Sequence, residues 1–253
     1  MIPLEDEYGD IVRKAGRGLG VDVRTLDLDD VGAVARALRL DAGKLAASKA
    51  GSWYPGVDLP ADVRHHPQDP HPSNGYVFFI AGTQRAALVD PAGIPGNLLR
   101  MLRDGAYNLQ YILITHRHAD HCDAAGDVAA AFPDATVVMH RADVGAIGAL
   151  GERALLVRDG EDLPFGDEAR IRMIHTPGHT DGSVSYLFAS TVFTGDTLFA
   201  GSVGGAYAEV ATYEDVLNSV RSKLFTLPDE TVVLPGHGPP TTVALERAHN
   251  PFF

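Results

Sequence analysis

The chain has 253 residues, of which 45% are hydrophobic and 21% charged, a composition typical of a globular protein with a sizeable core. The formal net charge of −12 disfavours nucleic acid as a partner, because neutralising phosphates requires a basic face. The N-terminus is acidic, unlike a signal peptide, and no apolar run has the roughly 20 residues that span a bilayer. The single cysteine, Cys122, excludes an internal disulfide. We therefore expect a cytoplasmic protein without a membrane partner.

Two amphipathic patterns in residues 1–55 predict a helical extension. One helix is expected at about residues 4–17 and another at 30–50, with an N-cap at Asp29 or Asp30 and a break at Gly43. These patterns are similar to pieces of a helix-turn-helix domain that has lost its central turn and reading helix. We expect a helical cap or a homodimer contact, and a DNA-binding segment is the alternative.

Residues 56–75 are rich in proline and predict a connection to a second domain at 76–253. In that domain short apolar runs alternate with helical patterns, and residues 76–80 and 85–90 predict a hairpin. Further strands are expected at 111–115, 136–140, 171–176, 183–188, 191–194 and 231–234, and helices at 97–103, 123–132 and 213–224. Strands mixed with helices predict sheets covered by helices, in an α/β or α+β architecture.

The strand at 111–115 leads directly into the most informative segment of the chain. His116, His118, Asp120 and His121 lie within six positions. Imidazoles and carboxylates gathered at one buried point are costly when unpaired, and a divalent cation removes that cost. The segment therefore predicts a metal site.

Three later segments each place another such side chain beside a glycine at the end of a predicted strand, and these are His179, Asp196 and His237. Seven ligands are too many for one tetrahedral ion, and they suit two ions that share a carboxylate and a water. We expect Zn²⁺, with Fe²⁺ and Mn²⁺ as alternatives, because imidazole and carboxylate ligands accept all three.

The order His-x-His-x-Asp-His, Pro-Gly-His, Gly-Asp and Pro-Gly-His-Gly resembles the metallo-β-lactamase fold superfamily over roughly residues 72–253. Residues 193–202 and 235–242 are similar to the short glyoxalase II-like hydrolases. The resemblance implies an α+β fold, a four-layer αβ/βα sandwich, here with the helical extension added. It also implies one metal on His116, His118 and His179, a second on Asp120, His121 and His237, and Asp196 as the bridge.

The same resemblance implies a hydrolase that uses a metal-bridged hydroxide on a small-molecule thioester, ester or lactone, with Asp120 and Asp196 as catalytic residues. Many relatives carry Arg-Thr-Asp after Gly-Ser-x-Gly, whereas residues 204–207 read Gly-Gly-Ala-Tyr. That difference makes Tyr207 a candidate substrate-binding residue. Thr115, His175 and Thr180 are candidates for orienting the imidazoles.

Two other functions remain open at this point. Persulfide dioxygenases resemble the chain around residues 115–121 and 176–182, and they would use one iron on His116, His179 and Asp196. A non-catalytic metal-containing regulator with a DNA-binding N-terminal segment is the other. A true β-lactamase is disfavoured because no export signal is evident, and a nuclease is disfavoured by the acidic balance.

Overall fold

A computed structural model describes residues 2–208 and 210–253, and its centre is a pair of six-stranded sheets. The first sheet runs in chain order through β1 (Val63–Pro67), β2 (Asn74–Phe79), β3 (Arg85–Val89), β4 (Asn108–Leu113), β5 (Thr136–His140) and β6 (Leu155–Val157). Its first two pairings are antiparallel, and β3 to β6 are parallel.

The second sheet is mixed and contains later parts of the chain. Its strands are β7 (Asp162–Phe165), β8 (Ala169–His175), β9 (Val184–Phe188), β10 (Thr191–Gly195), β13 (Val232–Pro235) and β14 (Thr241–Thr242). They lie in the order β14-β13-β10-β9-β8-β7, and only the pairing of β10 with β13 is parallel. A small separate hairpin joins β11 (Leu198–Phe199) to β12 (Ser202–Val203).

Helices cover the outer faces of both sheets. They are α1 (Tyr8–Leu19), α2 (Val31–Leu38), α3 (Ala42–Lys49), α4 (Pro95–Asp104), α5 (Ala119–Cys122), α6 (Ala125–Ala131), α7 (Tyr213–Ser222) and α8 (Val243–His249). Helices α4 and α6 pack on the first sheet, and α7 and α8 pack on the second. Among the described residues no helix is both long and apolar enough to cross a bilayer.

The core between the sheets is strongly aromatic. The rings of Phe78 and Phe193, one from each sheet, stack with centroids 4.9 Å apart, and Phe165 meets Phe78 edge-on at 5.4 Å. Such pairs add packing energy beyond the apolar area they bury. The order of helix, sheet, sheet and helix confirms the predicted four-layer αβ/βα sandwich.

The N-terminal helices pack onto the second sheet's helical layer. Ile11, Leu38 and Leu45 are fully buried in the same apolar cluster as Val216 and Val220 of α7. A recognition helix needs an exposed face that fits a groove. The apolar faces of α1 to α3 are used within the chain, and the DNA-binding segment and the homodimer contact both stay predictions.

Two of the differences from the predicted boundaries bear on the division of the chain and on its N-terminal helices. Residues 56–75 include β1, whose Val63 pairs with Phe78 of β2, so the first sheet begins before residue 76. Pro67 ends this strand at the sheet edge, where a missing N–H is tolerated. The predicted break at Gly43 lies instead at Arg39, which has a left-handed φ of 55°, while Asp30 caps α2 by accepting from Ala33 N at 2.9 Å.

Candidate metal centre

All seven predicted metal ligands meet at one edge of the sandwich, where strand ends of the two sheets face each other. The loop after β4 and the short helix α5 carry His116, His118, Asp120 and His121. The segments after β8, β10 and β13 carry His179, Asp196 and His237. Backbone hydrogen bonds join the sheets here, from Val184 N to Thr115 O at 2.9 Å and from Asn74 N to Gly236 O at 2.7 Å.

Three imidazoles form the first potential ligand set. Nδ1 of His118 lies 3.1 Å from Nε2 of His116 and 2.9 Å from Nε2 of His179. His116 and His179 are buried, whereas His118 is half-buried. Three ring nitrogens that face one point at these distances offer their lone pairs to a single cation.

A second potential set lies beside the first. Oδ2 of Asp120 is 3.7 Å from Nε2 of His121 and 3.4 Å from Nε2 of His237. His121 is fully buried, and the Asp120 side chain is 30% exposed at the mouth of the centre. One carboxylate and two imidazoles form a ligand set of the kind that divalent transition metals accept.

Asp196 lies between the two sets. Its Oδ2 is 3.4 Å from Nε2 of His179 and 3.6 Å from Nε2 of His237, and its Oδ1 is 3.4 Å from Nε2 of His121. One carboxylate thus faces imidazoles of both sets, which is the geometry that a bridging ligand requires.

Unsatisfied polar atoms show that these side chains fit a divalent cation. Nε2 of His121 and Oδ1 of Asp196 are buried without a hydrogen-bond partner, although they face each other. An unpaired buried polar atom costs about 1–3 kcal/mol, so two at one point need a common partner. A cation between them would satisfy both atoms.

The protonation states differ between the two sets. Burial holds the pKa of His116 well below its usual range and lowers the pKa of His179 to about 4, so both imidazoles are neutral. Burial also opposes the charged form of His121, but the carboxylates of Asp196 and Asp90 outweigh it and raise the pKa of His121 to about 9. His237 lowers the pKa of Asp120, which stays ionised.

Asp90 contacts a site imidazole and was not predicted. It follows β3 with a left-handed φ of 52°, and its two carboxylate oxygens accept from Thr115 N and Thr115 Oγ1, both at 2.7 Å. Nδ1 of His121 lies 3.0 Å from Asp90 Oδ2 and donates to it, which leaves Nε2 of His121 free to face the centre. A carboxylate at the end of the strand next to β4 was the available signal.

The three predicted orienting residues have different outcomes. Thr115 Oγ1 lies 3.0 Å from Nδ1 of His116, so it contacts a site imidazole as expected. Thr180 is linked to the ligand segment only through Asp143. Its hydroxyl donates to Asp143 at 2.5 Å, and Asp143 also accepts from the backbone N–H of Arg117, between His116 and His118, at 3.1 Å. The prediction for His175 was wrong, since its ring stacks on His140 at 4.2 Å and its Nε2 lies 2.9 Å from the carbonyl of Asp181.

Two glycines allow the backbone to approach Asp196 closely. A Cβ at Gly236 would lie 2.3 Å from Asp196 Oδ1 and 2.7 Å from His121 Cε1. A Cβ at Gly204 would lie 1.7 Å from the Asp196 carbonyl oxygen. Neither position has room for a side chain, which explains why glycines accompany the ligands in the sequence.

Tyr207 lies at the entrance to the centre. Its ring is 5.9 Å from that of His118 and 5.5 Å from that of His179, and the residue is 56% exposed. Its carbonyl accepts from the Arg117 guanidinium at 2.9 Å, and its N–H donates to His179 O at 2.9 Å. These bonds hold the backbone of Tyr207, and its ring lies beside the first ligand set with much of its surface open to solvent.

A buried carboxyl anchors the hairpin that follows Asp196. Glu246 of α8 accepts from Gly201 N at 2.9 Å, from Thr241 Oγ1 at 2.8 Å and from Asn250 Nδ2 at 2.9 Å. Burial outweighs these bonds and raises the pKa of Glu246 to about 7. The hairpin is thus tied to the C-terminal helix by a group that binds a proton near neutral pH.

A two-sheet sandwich with a histidine and aspartate cluster at one shared edge is the architecture of the metallo-hydrolase superfamily. The chain belongs to the metallo-β-lactamase superfamily, whose family model it matches over residues 70–237, and members of this superfamily bind divalent metals. It is similar to the uncharacterized protein Rv2581c of Mycobacterium tuberculosis, with 37% identity over 207 residues covering 71% of this chain and 92% of the relative. The hydroxyacylglutathione hydrolase GloC of Haemophilus influenzae is 30% identical over 186 residues, covering 67% and 87%.

Solved structures show the same relationship. The BLEG-1 B3 metallo-β-lactamase has a TM-score of 0.66 at 31% identity, covering 75% of this chain and 98% of the other. ETHE1 from Myxococcus xanthus has a TM-score of 0.66 at 32% identity, covering 75% and 83%. TTHA1623, solved in a di-iron-bound form, has a TM-score of 0.63 at 29% identity, covering 79% and 100%.

Proposed function

We propose that this protein is a dinuclear metal-dependent hydrolase that cleaves a thioester, ester or lactone, with glyoxalase II-like thioester hydrolysis as the first reaction to test. The observation that carries the proposal is the position of Asp196, whose carboxylate faces His179 and His237 at 3.4 and 3.6 Å and so joins two ligand sets. A single ion would leave one of those sets without a role.

In this proposal His116, His118 and His179 hold one ion, Asp120, His121 and His237 hold the other, and Asp196 is shared. Zn²⁺ is the first choice, and Fe²⁺ or Mn²⁺ are alternatives, the iron being supported by the di-iron form of TTHA1623. When bound, the ions supply a water of lowered pKa and polarise the substrate carbonyl.

The chain's own residues perform the remaining work. Asp120 is the partly exposed carboxylate of the centre. It is ionised, and it accepts a hydrogen bond from the attacking water and so orients it. The buried carboxylate of Asp196 keeps a lowered pKa, because His121 and His179 outweigh its burial, so it stays available as the shared ligand. Tyr207 places an aromatic ring where the acyl or leaving group enters.

The substrate class is supported by the similarity to GloC, whose name states that it hydrolyses hydroxyacylglutathione. The ring of Tyr207 at the mouth of the centre offers an apolar contact with a polar hydroxyl, which suits a small acyl group. A partner protein or nucleic acid is not required by this site, and we propose a cytoplasmic enzyme acting on a small molecule.

The experiment is to load the protein with Zn²⁺ and to measure kcat/KM on a panel of thioesters, esters and lactones. Alanine at His118 or Asp196 should lower the rate by at least about 100-fold, since each removes about 3 kcal/mol of transition-state stabilisation. Asp167→Ala is the control, because that side chain is 93% exposed and is not one of the residues of the centre. Unchanged turnover in both site variants would reject a metal-dependent hydrolase.

A mononuclear iron dioxygenase acting on a persulfide is the second candidate. His116 and His179 both face Asp196, at 4.0 and 3.4 Å, and this arrangement supports the proposal that the three residues could hold one iron. Elemental analysis of protein purified without added metal separates the two functions. About two zinc ions per chain favour the hydrolase, whereas one iron per chain and oxygen consumption on glutathione persulfide favour the dioxygenase. Metal without either turnover would leave the non-catalytic regulator.

A further inference from the structure

The segment that precedes α1 lies directly on the metal centre. A Cβ at Gly238, next to His237, would lie 3.2 Å from Glu5 N and 3.8 Å from Pro3 O. Tyr54 donates its hydroxyl hydrogen to the carbonyl of Ile2 at 2.9 Å and so holds the start of the segment. This part of the chain lies outside the superfamily match at residues 70–237, yet it covers one side of the site.

A buried polar network fixes the segment on the β11–β12 hairpin. Lys14 of α1 donates to the carbonyl of Val203 at 2.6 Å and forms an ion pair with Asp6. Ser202 Oγ also donates to Asp6 at 2.5 Å, and the side chains of Lys14 and Asp6 are about nine-tenths buried. Burial of these paired groups makes the position of residue 5 a defined feature of the fold.

Three of the site imidazoles have an identifiable partner on the side away from the centre. Nδ1 of His121 contacts Asp90 at 3.0 Å, Nδ1 of His179 contacts the carbonyl of Gly205 at 2.6 Å, and Nδ1 of His116 contacts Thr115 Oγ1 at 3.0 Å. Such partners fix the ring orientation and the tautomer that presents Nε2 to a metal.

His237 has no hydrogen-bond partner of this kind among the described residues. Its Nε2 faces Asp120 and Asp196, whereas its Nδ1 is buried and makes no hydrogen bond to any described residue. Oε2 of Glu5 is 3.6 Å from this Nδ1. The distance is within ion-pair range, but it is a few tenths of an ångström too long for a hydrogen bond. A small rotation of the Glu5 carboxylate would satisfy the atom.

We propose that Glu5 is a positioning residue for His237. Its carboxylate accepts the Nδ1–H of His237, which keeps the Nε2 lone pair of this ring directed between Asp120 and Asp196. The N-terminal extension is therefore part of the metal centre as well as a cap on the outer helices. The inference depends on the dinuclear site proposed above, because Glu5 would act on the set of Asp120, His121 and His237 alone.

The test compares Glu5→Ala, which removes the acceptor, with the wild-type chain, using Zn²⁺ in competition with a chromogenic chelator to measure both binding steps. Removal of an outer partner of a ligating histidine typically weakens metal binding 10- to 100-fold. We expect that loss in one step, no change in the other, and an unchanged melting temperature of the metal-free protein. Glu230→Ala is the matched control, since it removes the same side chain from an exposed turn.

Other results overturn the inference. Wild-type affinity at both steps in Glu5→Ala would show that Glu5 has no effect on His237. An equal loss at both steps, or a lower melting temperature of the metal-free variant, would show a general structural role. Wild-type protein that binds fewer than two zinc ions would reject the dinuclear site itself, and this result is visible before any variant is made.

Discussion

Replacing Asp90 by asparagine should weaken the second ligand set while the fold is kept. The carboxylate accepts the Nδ1–H of His121 at 3.0 Å, and both its oxygens also accept from Thr115. In the variant an amide nitrogen can face His121 in place of an acceptor, which favours the tautomer with its hydrogen on Nε2. That tautomer cannot ligate through Nε2, and we expect metal affinity to fall 10- to 100-fold, or about 1.4–2.7 kcal/mol.

The assay is chelator competition with Zn²⁺, followed by thioester turnover at saturating metal. Asp167→Asn is the control, because it makes the same chemical change at a side chain that is 93% exposed. Turnover in Asp90→Asn should recover partly when zinc is raised, since the variant weakens binding without removing a ligand. Wild-type affinity for both ions in Asp90→Asn would refute the role assigned to this carboxylate.

Three further predictions follow from other contacts. Because the pKa of Glu246 is about 7 in the folded chain against 4.5 when unperturbed, its stabilising effect is complete below pH 4.5 and is lost as the pH rises through 7, by up to about 3 kcal/mol. The free energy of unfolding in urea should be lower at pH 8 than at pH 5 in the wild type, and this pH difference should be smaller in Glu246→Gln. The same pH difference in both proteins would contradict the role of Glu246. Zinc uptake at the second set should tighten up to about tenfold per pH unit between pH 6 and 9, since His121, with a pKa of about 9, must lose a proton. His179, with a pKa of about 4, imposes no such dependence on the first set, so parallel pH slopes in a titration would count against this assignment. Gly236→Ala should lower zinc affinity at least about tenfold with little change in far-UV circular dichroism, because its Cβ would lie 2.3 Å from a carboxylate oxygen of Asp196.

The local parts of the centre were predictable because their signals are short-range. His116 to His121 follow a buried strand, and the glycines beside the other three positions mark strand ends, so residue type and place coincide in the sequence. Asp90 shows where this fails. Its contact with His121 depends on the parallel register that sets Val89 opposite Leu113, and that pairing is a property of the sheet.

The missed strand β1 and the misplaced end of α2 can be explained in a similar way. The strand β1 reads Val-Arg-His-His-Pro, with polar side chains and a proline on a sheet edge, so it gives no alternating apolar signal. The end of α2 was misplaced because Arg39 adopts a left-handed conformation that glycine usually takes. The cap of α3 at Asp41, which accepts from Lys44 N at 2.9 Å, was the better guide to that boundary.

The seven side chains of the centre follow strands of both sheets, with His116 to His121 after a strand of the first sheet and His179, Asp196 and His237 after strands of the second. Bound ions would therefore clamp two sheets that otherwise meet through side-chain packing and a few backbone hydrogen bonds. A ligand that binds only the folded chain shifts the folding equilibrium in proportion to its own concentration. The stability of the folded chain would then rise with the supply of metal, and metal starvation would favour unfolding and proteolysis as well as loss of activity.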